Sequence, residues 1–114
     1  MEITSALISV GREGTPFNRA NHGACTHDNR TIWIYGGECT SSSRAFDDLW
    51  SYCLVRDEWR KHIIEGADKP GKLTGCSMAA SPTGIFIFGG VIFDQPGMLP
   101  LWFIKVNKYF VFIL

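Results

Sequence analysis

The segment Thr31-Ile-Trp-Ile-Tyr-Gly-Gly37 recurs as Gly84-Ile-Phe-Ile-Phe-Gly-Gly90, at a shift of 53 residues with four identities and two exchanges of one aromatic for another. The order continues beyond the glycines, where Asp48-Leu49-Trp50 is echoed by Pro100-Leu101-Trp102 at a shift of 52. Two copies of one structural unit are the simplest account. In an extended strand the isoleucines of each copy project to one side and the aromatics to the other. Neither side is polar, so the strand must be covered on both faces by neighbouring layers. The double glycine then lets the backbone leave the strand at angles closed to other residues.

Each copy opens with small and polar residues, His22-Gly-Ala-Cys-Thr26 and Gly75-Cys-Ser-Met-Ala-Ala80, followed by the turn formers His27-Asp-Asn-Arg30 and Ser81-Pro-Thr-Gly84. That pattern predicts a hairpin in each copy. The stretch from Phe46 to Glu65 has no Gly or Pro, and Asp47 or Asp48 could cap a helix there. Its apolar residues Leu49, Trp50, Tyr52, Cys53, Leu54 and Val55 would circle such a helix completely, and Arg56-Asp57-Glu58 breaks the run before Trp59. Two short strands with a turn at Val55 to Glu58 fit better. One unit is then four antiparallel strands, and units of that kind, apolar on both faces and repeating about every 50 residues, are the signature of β-propeller blades.

Composition narrows the function classes. With 114 residues the chain holds one modest domain or part of a larger one. Eleven basic and eleven acidic residues give no net charge, and no basic stripe marks a nucleic-acid or anionic-membrane surface. The apolar run Ile3 to Val10 follows Glu2 instead of a basic segment and reads as a first strand, not a signal peptide. The apolar end is interrupted by Lys105, Asn107 and Lys108 and falls short of the ~20 residues needed for a membrane span. Cys25, Cys39, Cys53 and Cys76 form no Cys-x-x-Cys pair and read as reduced, buried thiols, although an even count would permit two disulfides in a secreted protein. Asn29-Arg30-Thr31 is a glycosylation sequon on a polar turn, usable only in the secretory pathway.

Catalytic and metal constellations are weak. His22, Cys25 and His27 are close in sequence, but only two of them share a strand face, too few for structural zinc. Adjacent Asp47 and Asp48 face opposite ways in a strand and cannot share a substrate atom. Ser41 to Ser43 would need a base within reach, and His62, which follows Trp59-Arg60-Lys61, reads as solvated. No nucleophile elbow, phosphate loop or dinucleotide fingerprint is present. The expectation is therefore no enzyme, no cofactor and no metal.

The residues that carry these patterns resemble the kelch repeat family. Arg19 and His22 precede the first strand, Gly36-Gly37 end the second, and Tyr52 and Trp59 follow with six residues between them. The second copy keeps Gly89-Gly90 and Leu101-Trp102, but Ile104 and Val111 stand where the Tyr and Trp belong. The resemblance divides the chain into residues 1–17, a first strand or an extension from a preceding blade, 18–70, a first repeat, and 71–114, a second repeat that is incomplete and divergent after Trp102. The terminal Lys108 to Leu114 looks unlike a fourth strand and reads as truncated. Implied is an all-β fold, a partial β-propeller of antiparallel four-stranded kelch blades, in which Arg19, Tyr52 and Trp59 pack blade against blade. Two blades alone would expose apolar outer faces, so self-association or completion by further repeats is expected.

Functionally the resemblance implies a non-catalytic protein-protein interaction module, a scaffold or substrate adaptor, with a protein partner and neither nucleic acid nor a membrane span. The loop Thr40, Ser41, Ser42, Ser43 and Arg44 is the expected partner-binding segment, with Arg44 as anchor because arginine is enriched in hot spots. The alternative is a fragment of a propeller enzyme such as a galactose oxidase-like oxidase, which would need tyrosine and histidine ligands converging near the axis. A cytoplasmic location is expected, or alternatively the extracellular part of a larger kelch-containing protein.

Overall fold

Short polar residues in left-handed backbone conformations decide where the first repeat turns. Asp28 and Asn29 both have positive φ, 56° and 52°, and the Arg30 N–H closes the turn on the His27 carbonyl at 3.2 Å. Tight hairpins between right-twisted strands need this geometry, and Asp and Asn tolerate it. A second turn ends in Asp57, with φ of 54° and its N–H on the Cys53 carbonyl at 2.8 Å.

The computed structural model describes residues 3–65, 69–92 and 101–105, with side chains from residue 14 onward, Ile92 excepted. In chain order its strands are β1 (Ile3–Glu13), β2 (Gly23–His27), β3 (Thr31–Tyr35), β4 (Glu38–Cys39), β5 (Arg44–Ala45) and β6 (Leu49–Cys53). There follow β7 (Glu58–Glu65), β8 (Leu73–Thr74), β9 (Ser77–Ser81), β10 (Gly84–Phe88), β11 (Val91–Ile92) and β12 (Leu101–Lys105). The protein is all-β. The stretch from Phe46 to Glu65 is the two strands β6 and β7, joined by a turn over residues 54–57.

One sheet runs β2-β3-β6-β7-β1-β12-β10-β9. Its first four strands are an antiparallel meander. In the second repeat β9, β10 and β12 are antiparallel, but the strand beside β12 is β1, which pairs with it in parallel and with β7 in antiparallel fashion. Among the described residues the second repeat thus contributes three antiparallel strands, and β1 takes the place beside β12. Expected features at residues 93–98 and 108–114 lie outside them.

Pairing registers show how deep the internal repeat runs. Tyr35 lies opposite Leu49 and Trp33 opposite Ser51, as Phe88 lies opposite Leu101 and Phe86 opposite Phe103. In the first strand of each copy the equivalence moves by one residue from the expected shift of 53, because three residues separate His27 from Thr31 and only two separate Ser81 from Gly84.

The core lies between the repeats. Trp33 and Tyr35 of β3, 1% and 0% exposed, belong to one buried cluster with Ile85, Ile87 and Ile104, each 0% exposed, and with Trp102. The aromatic face of the first repeat thus packs on the isoleucine face of the second. At the open edges β2 and β9 approach closely, because a Cβ on Gly23 would meet the Met78 Cγ of β9 at 2.9 Å, and the Cys76 Sγ just before that strand at 2.7 Å. Gly36, with φ of 70°, fixes the other contact point, where a Cβ would sit 2.4 Å from the Leu73 carbonyl oxygen. The neighbouring Gly37 N–H donates to that carbonyl at 2.8 Å, and the Gly75 N–H donates to the Asn21 carbonyl at 2.8 Å. Hydrogen bonds between backbones thereby tie the start of the second repeat to the first.

Candidate functional site

The polar loop after Gly37 is held at its base and exposed along its crest. Strands β4 and β5 pair Glu38 with Ala45 and Cys39 with Arg44. Between them Thr40–Ser42 form a single 3-10 turn and Ser43 adopts a left-handed conformation, its N–H on the Thr40 carbonyl at 3.3 Å. Thr40, Ser41, Ser42, Ser43 and Arg44 are all exposed, whereas Ala45 and Phe46 are buried. The guanidinium of Arg44 stands 5.4 Å from the centre of the Phe17 ring and 5.1 Å from that of Phe46, so its charge lies over aromatic surface on an exposed residue.

Arg19 braces this loop from below. Its guanidinium lies 4.0 Å from the centre of the Phe46 ring and donates to the carbonyls of Gly36 at 3.0 Å and Phe17 at 3.1 Å. It also engages both carboxylate oxygens of Asp48, with Nη2 to Oδ2 at 2.9 Å, and the Trp50 indole N–H donates to the same carboxylate at 2.8 Å. Burial disfavours the charged Asp48, but the hydrogen bonds from Arg19 and Trp50 and the charge of Arg19 outweigh it, holding the carboxyl below the usual range. These contacts lie between residues 17 and 50, so Arg19 ties the N-terminal connection to the loop.

Beside the loop is an open cleft of about 480 Å³, lined by Ser42, Ser43, Arg44, Asp47, Lys61 and Lys72. It adjoins a second cleft of about 320 Å³ whose wall includes Tyr35, Asp47, Asp48, Lys61 and His62. Asp47 and Asp48 lie in the connection leading to β6, and Asp48 is committed to Arg19 and Trp50. Burial, reinforced by Asp47, Cys76 and Asp48, raises the Tyr35 phenol and keeps it protonated, its hydroxyl donating to the Gly71 carbonyl.

His62 is not solvated. It is 2% exposed, its Nε2 is 2.7 Å from the Ser51 Oγ, and its ring lies 4.8 Å from that of Trp33. Strand parity is the reason: the register sets His62 opposite Leu49, so it shares the inward face with Ile64 despite its charged neighbours. Serine and histidine at that distance are one element of nucleophilic chemistry, but Ser51 is 1% exposed, out of reach of a substrate.

The remaining expected residues fall in three places. His22 is exposed just before β2, and its backbone N lies within 3.0 Å of where a Cβ on Gly37 would stand. Tyr52 and Trp59 stack at 5.0 Å on the face of the first repeat turned away from the second, so they take no part in the contact between these repeats. Trp59 is half-buried there. Gly89 and Gly90 end β10 with φ of 73° and 85°, and Trp102, 8% exposed, sits in the shared core. Of the cysteines, Cys53 and Cys76 are buried, while Cys25 and Cys39 are partly exposed, against the expectation that all four are buried. No group of metal-ligating residues occurs among the described residues.

Sequence reasoning missed Lys61 and Lys72 as cleft residues. Lys61 alternates outward with His62 inward on β7, a signal that strand parity could have given; Lys72 arrives from the connection between repeats, and nothing local marks it.

The chain is 27% identical over 75 residues to Kelch domain-containing protein 2 of Bos taurus, a match covering 66% of this chain and 18% of that protein. It is 28% identical over 97 residues to Kelch domain-containing protein 1 of Homo sapiens, covering 82% and 22%. Over 84 residues it is 33% identical to Acyl-CoA-binding domain-containing protein 5 of Arabidopsis thaliana, covering 74% and 12%. The chain spans about a fifth or less of the length of these relatives. No family model matches it. It is thus similar, over most of its own length, to kelch domain-containing proteins. Among the described residues no helix is long and apolar enough to cross a membrane.

Proposed function

We propose that the chain is a non-catalytic protein-binding module of kelch type, which captures a partner with the loop Thr40 to Arg44 and the cleft beside it. The observation that carries this reading is a recognition loop exposed at five consecutive positions yet fixed at its base by β4, β5 and the Arg19 brace. A preordered loop loses little conformational entropy on binding. The similarity to kelch domain-containing proteins agrees with it.

The chemistry of the cleft favours one kind of partner. Arg44, Lys61 and Lys72 face it together with Asp47, while the Asp48 carboxylate is already paired with Arg19. An excess of positive charge favours a partner segment bearing Asp or Glu, with the loop serines offering hydrogen bonds. Binding to such a segment should weaken as salt rises.

The test is capture by immobilised wild-type chain compared with the double variant Ser42→Ala, Arg44→Ala, both positions being exposed. The variant should keep the wild-type melting temperature and lose the partner. Unchanged capture would remove the loop from the reading, and capture insensitive to salt would remove the acidic segment.

A further inference from the structure

The contact between the two repeats joins unlike faces, and each of those faces has a counterpart on the outside of the molecule. The inner face of the first repeat presents Trp33, Tyr35 and Leu49; the residues holding the same register positions in the second repeat are Phe86, Phe88 and Leu101. Those residues point away from the first repeat. Phe86 stacks on Phe103 at 4.7 Å, and Phe88 is 41% exposed. Conversely, the inner face of the second repeat presents Ile85, Ile87, Trp102 and Ile104, whose counterparts in the first are Ile32, Ile34, Trp50 and Tyr52. These point away from the second repeat. Ile34 and Trp50 are covered within the chain, leaving Ile32, Tyr52 and Trp59 half-buried as the accessible part of that surface.

We propose that a second copy of this chain docks head to tail, the Phe86/Phe88/Phe103 face of one copy on the Ile32/Tyr52/Trp59 face of the next. The argument for a second copy is that the complement of each outer face is the other outer face, and the chain itself already packs that combination between its repeats. Zero net charge imposes no long-range repulsion between copies. A contact between unlike faces does not close on itself in a dimer, so association proceeds to rings or longer assemblies. The inference rests on the reading of the chain as a protein-binding module, and names one of its partners.

Sedimentation velocity over about a hundredfold range of concentration tests it, because mass action makes association concentration-dependent. Wild-type chain should grow beyond a dimer. Phe88→Lys removes one face and Ile32→Lys the other, so each variant alone should stay monomeric. Their equimolar mixture should form a one-to-one dimer and nothing larger, since each retains the face the other lacks. If either substitution prevents folding, Phe88→Thr and Ile32→Thr give the same mixing experiment. A wild-type chain that remains monomeric throughout overturns the proposal, as does a folded mixture that stays monomeric, or association abolished by Phe88→Lys and untouched by Ile32→Lys. The loop variant Ser42→Ala, Arg44→Ala should associate as wild type does, so failure of the loop reading and failure of this one are separable.

Discussion

Ile32 and Ile85 occupy the same register position in the two repeats, facing Tyr52 and Ile104 respectively, yet the structure gives them opposite fates. Ile85 is 0% exposed between the repeats; Ile32 is half-buried on the outer face of the first. Ile85→Ala deletes three buried carbons, worth ~2.4 kcal/mol in transfer free energy, and leaves a cavity lined by Ile87, Trp102 and Ile104 that a two-layer core fills poorly, for a total of about 3 to 4 kcal/mol. Ile32→Ala deletes the same atoms from a surface that water already reaches, so roughly half the transfer cost applies without a cavity, about 1 kcal/mol. At roughly 4 °C per kcal/mol for a chain of this size, the melting temperature should fall by about 12 to 16 °C for Ile85→Ala and about 4 °C for Ile32→Ala. Thermal unfolding followed by tryptophan fluorescence measures both, at a concentration low enough that association between copies contributes nothing. If Ile32→Ala costs as much as Ile85→Ala, or more, the repeats do not face each other as described, and the head-to-tail argument falls with the core assignment.

Two further outcomes are expected. Gly36→Ala and Gly89→Ala both place a side chain at positive φ, but a Cβ at Gly36 would stand 2.4 Å from the Leu73 carbonyl oxygen, whereas at Gly89 it meets nothing within 4 Å. Urea titration should find about 1 kcal/mol lost at Gly89 from backbone strain alone and about 3 kcal/mol or more at Gly36, where two backbones must separate; equal losses would contradict the close approach. Cys39 should be the first thiol to react with iodoacetamide, because hydrogen bonds from Ser41 and Ser42 lower its pKa to about 7, whereas burial pushes Cys25 up to about 11. The rate at Cys39 should be half-maximal at a pH of about 7, and Ser41→Ala should move that midpoint upward; a midpoint near the ordinary thiol value with Ser41 intact would refute the assignment.

What was legible in the chain was whatever depends on neighbours a few residues apart. Strict alternation through Thr31–Tyr35 and Gly84–Phe88 marks strands because side chains of a strand point to alternate faces, and Asp28-Asn29 marks a turn because those residues tolerate positive φ. Alternation cannot say which face turns inward when both are apolar. Ile85 and Phe86 are equally good hydrophobes, and the choice between them is made by the partner layer, here Trp33 and Tyr35, fifty or more residues back along the chain. The same limit hid the parallel pairing of β1 with β12 and the arrival of Lys72 beside Arg44. His62 departs from its expected solvated position for a related reason: its local neighbours Arg60 and Lys61 are polar, but its environment is set by Leu49 and Ser51 across the sheet. The candidate loop divides along the same line. Its polar composition and its place after Gly36-Gly37 are local and could be read, whereas its brace, from Arg19 to Asp48 over 29 residues, and the charge of its cleft are products of the fold. A repeat whose two faces are both greasy can state that it must be sandwiched, but only the packed molecule states by what.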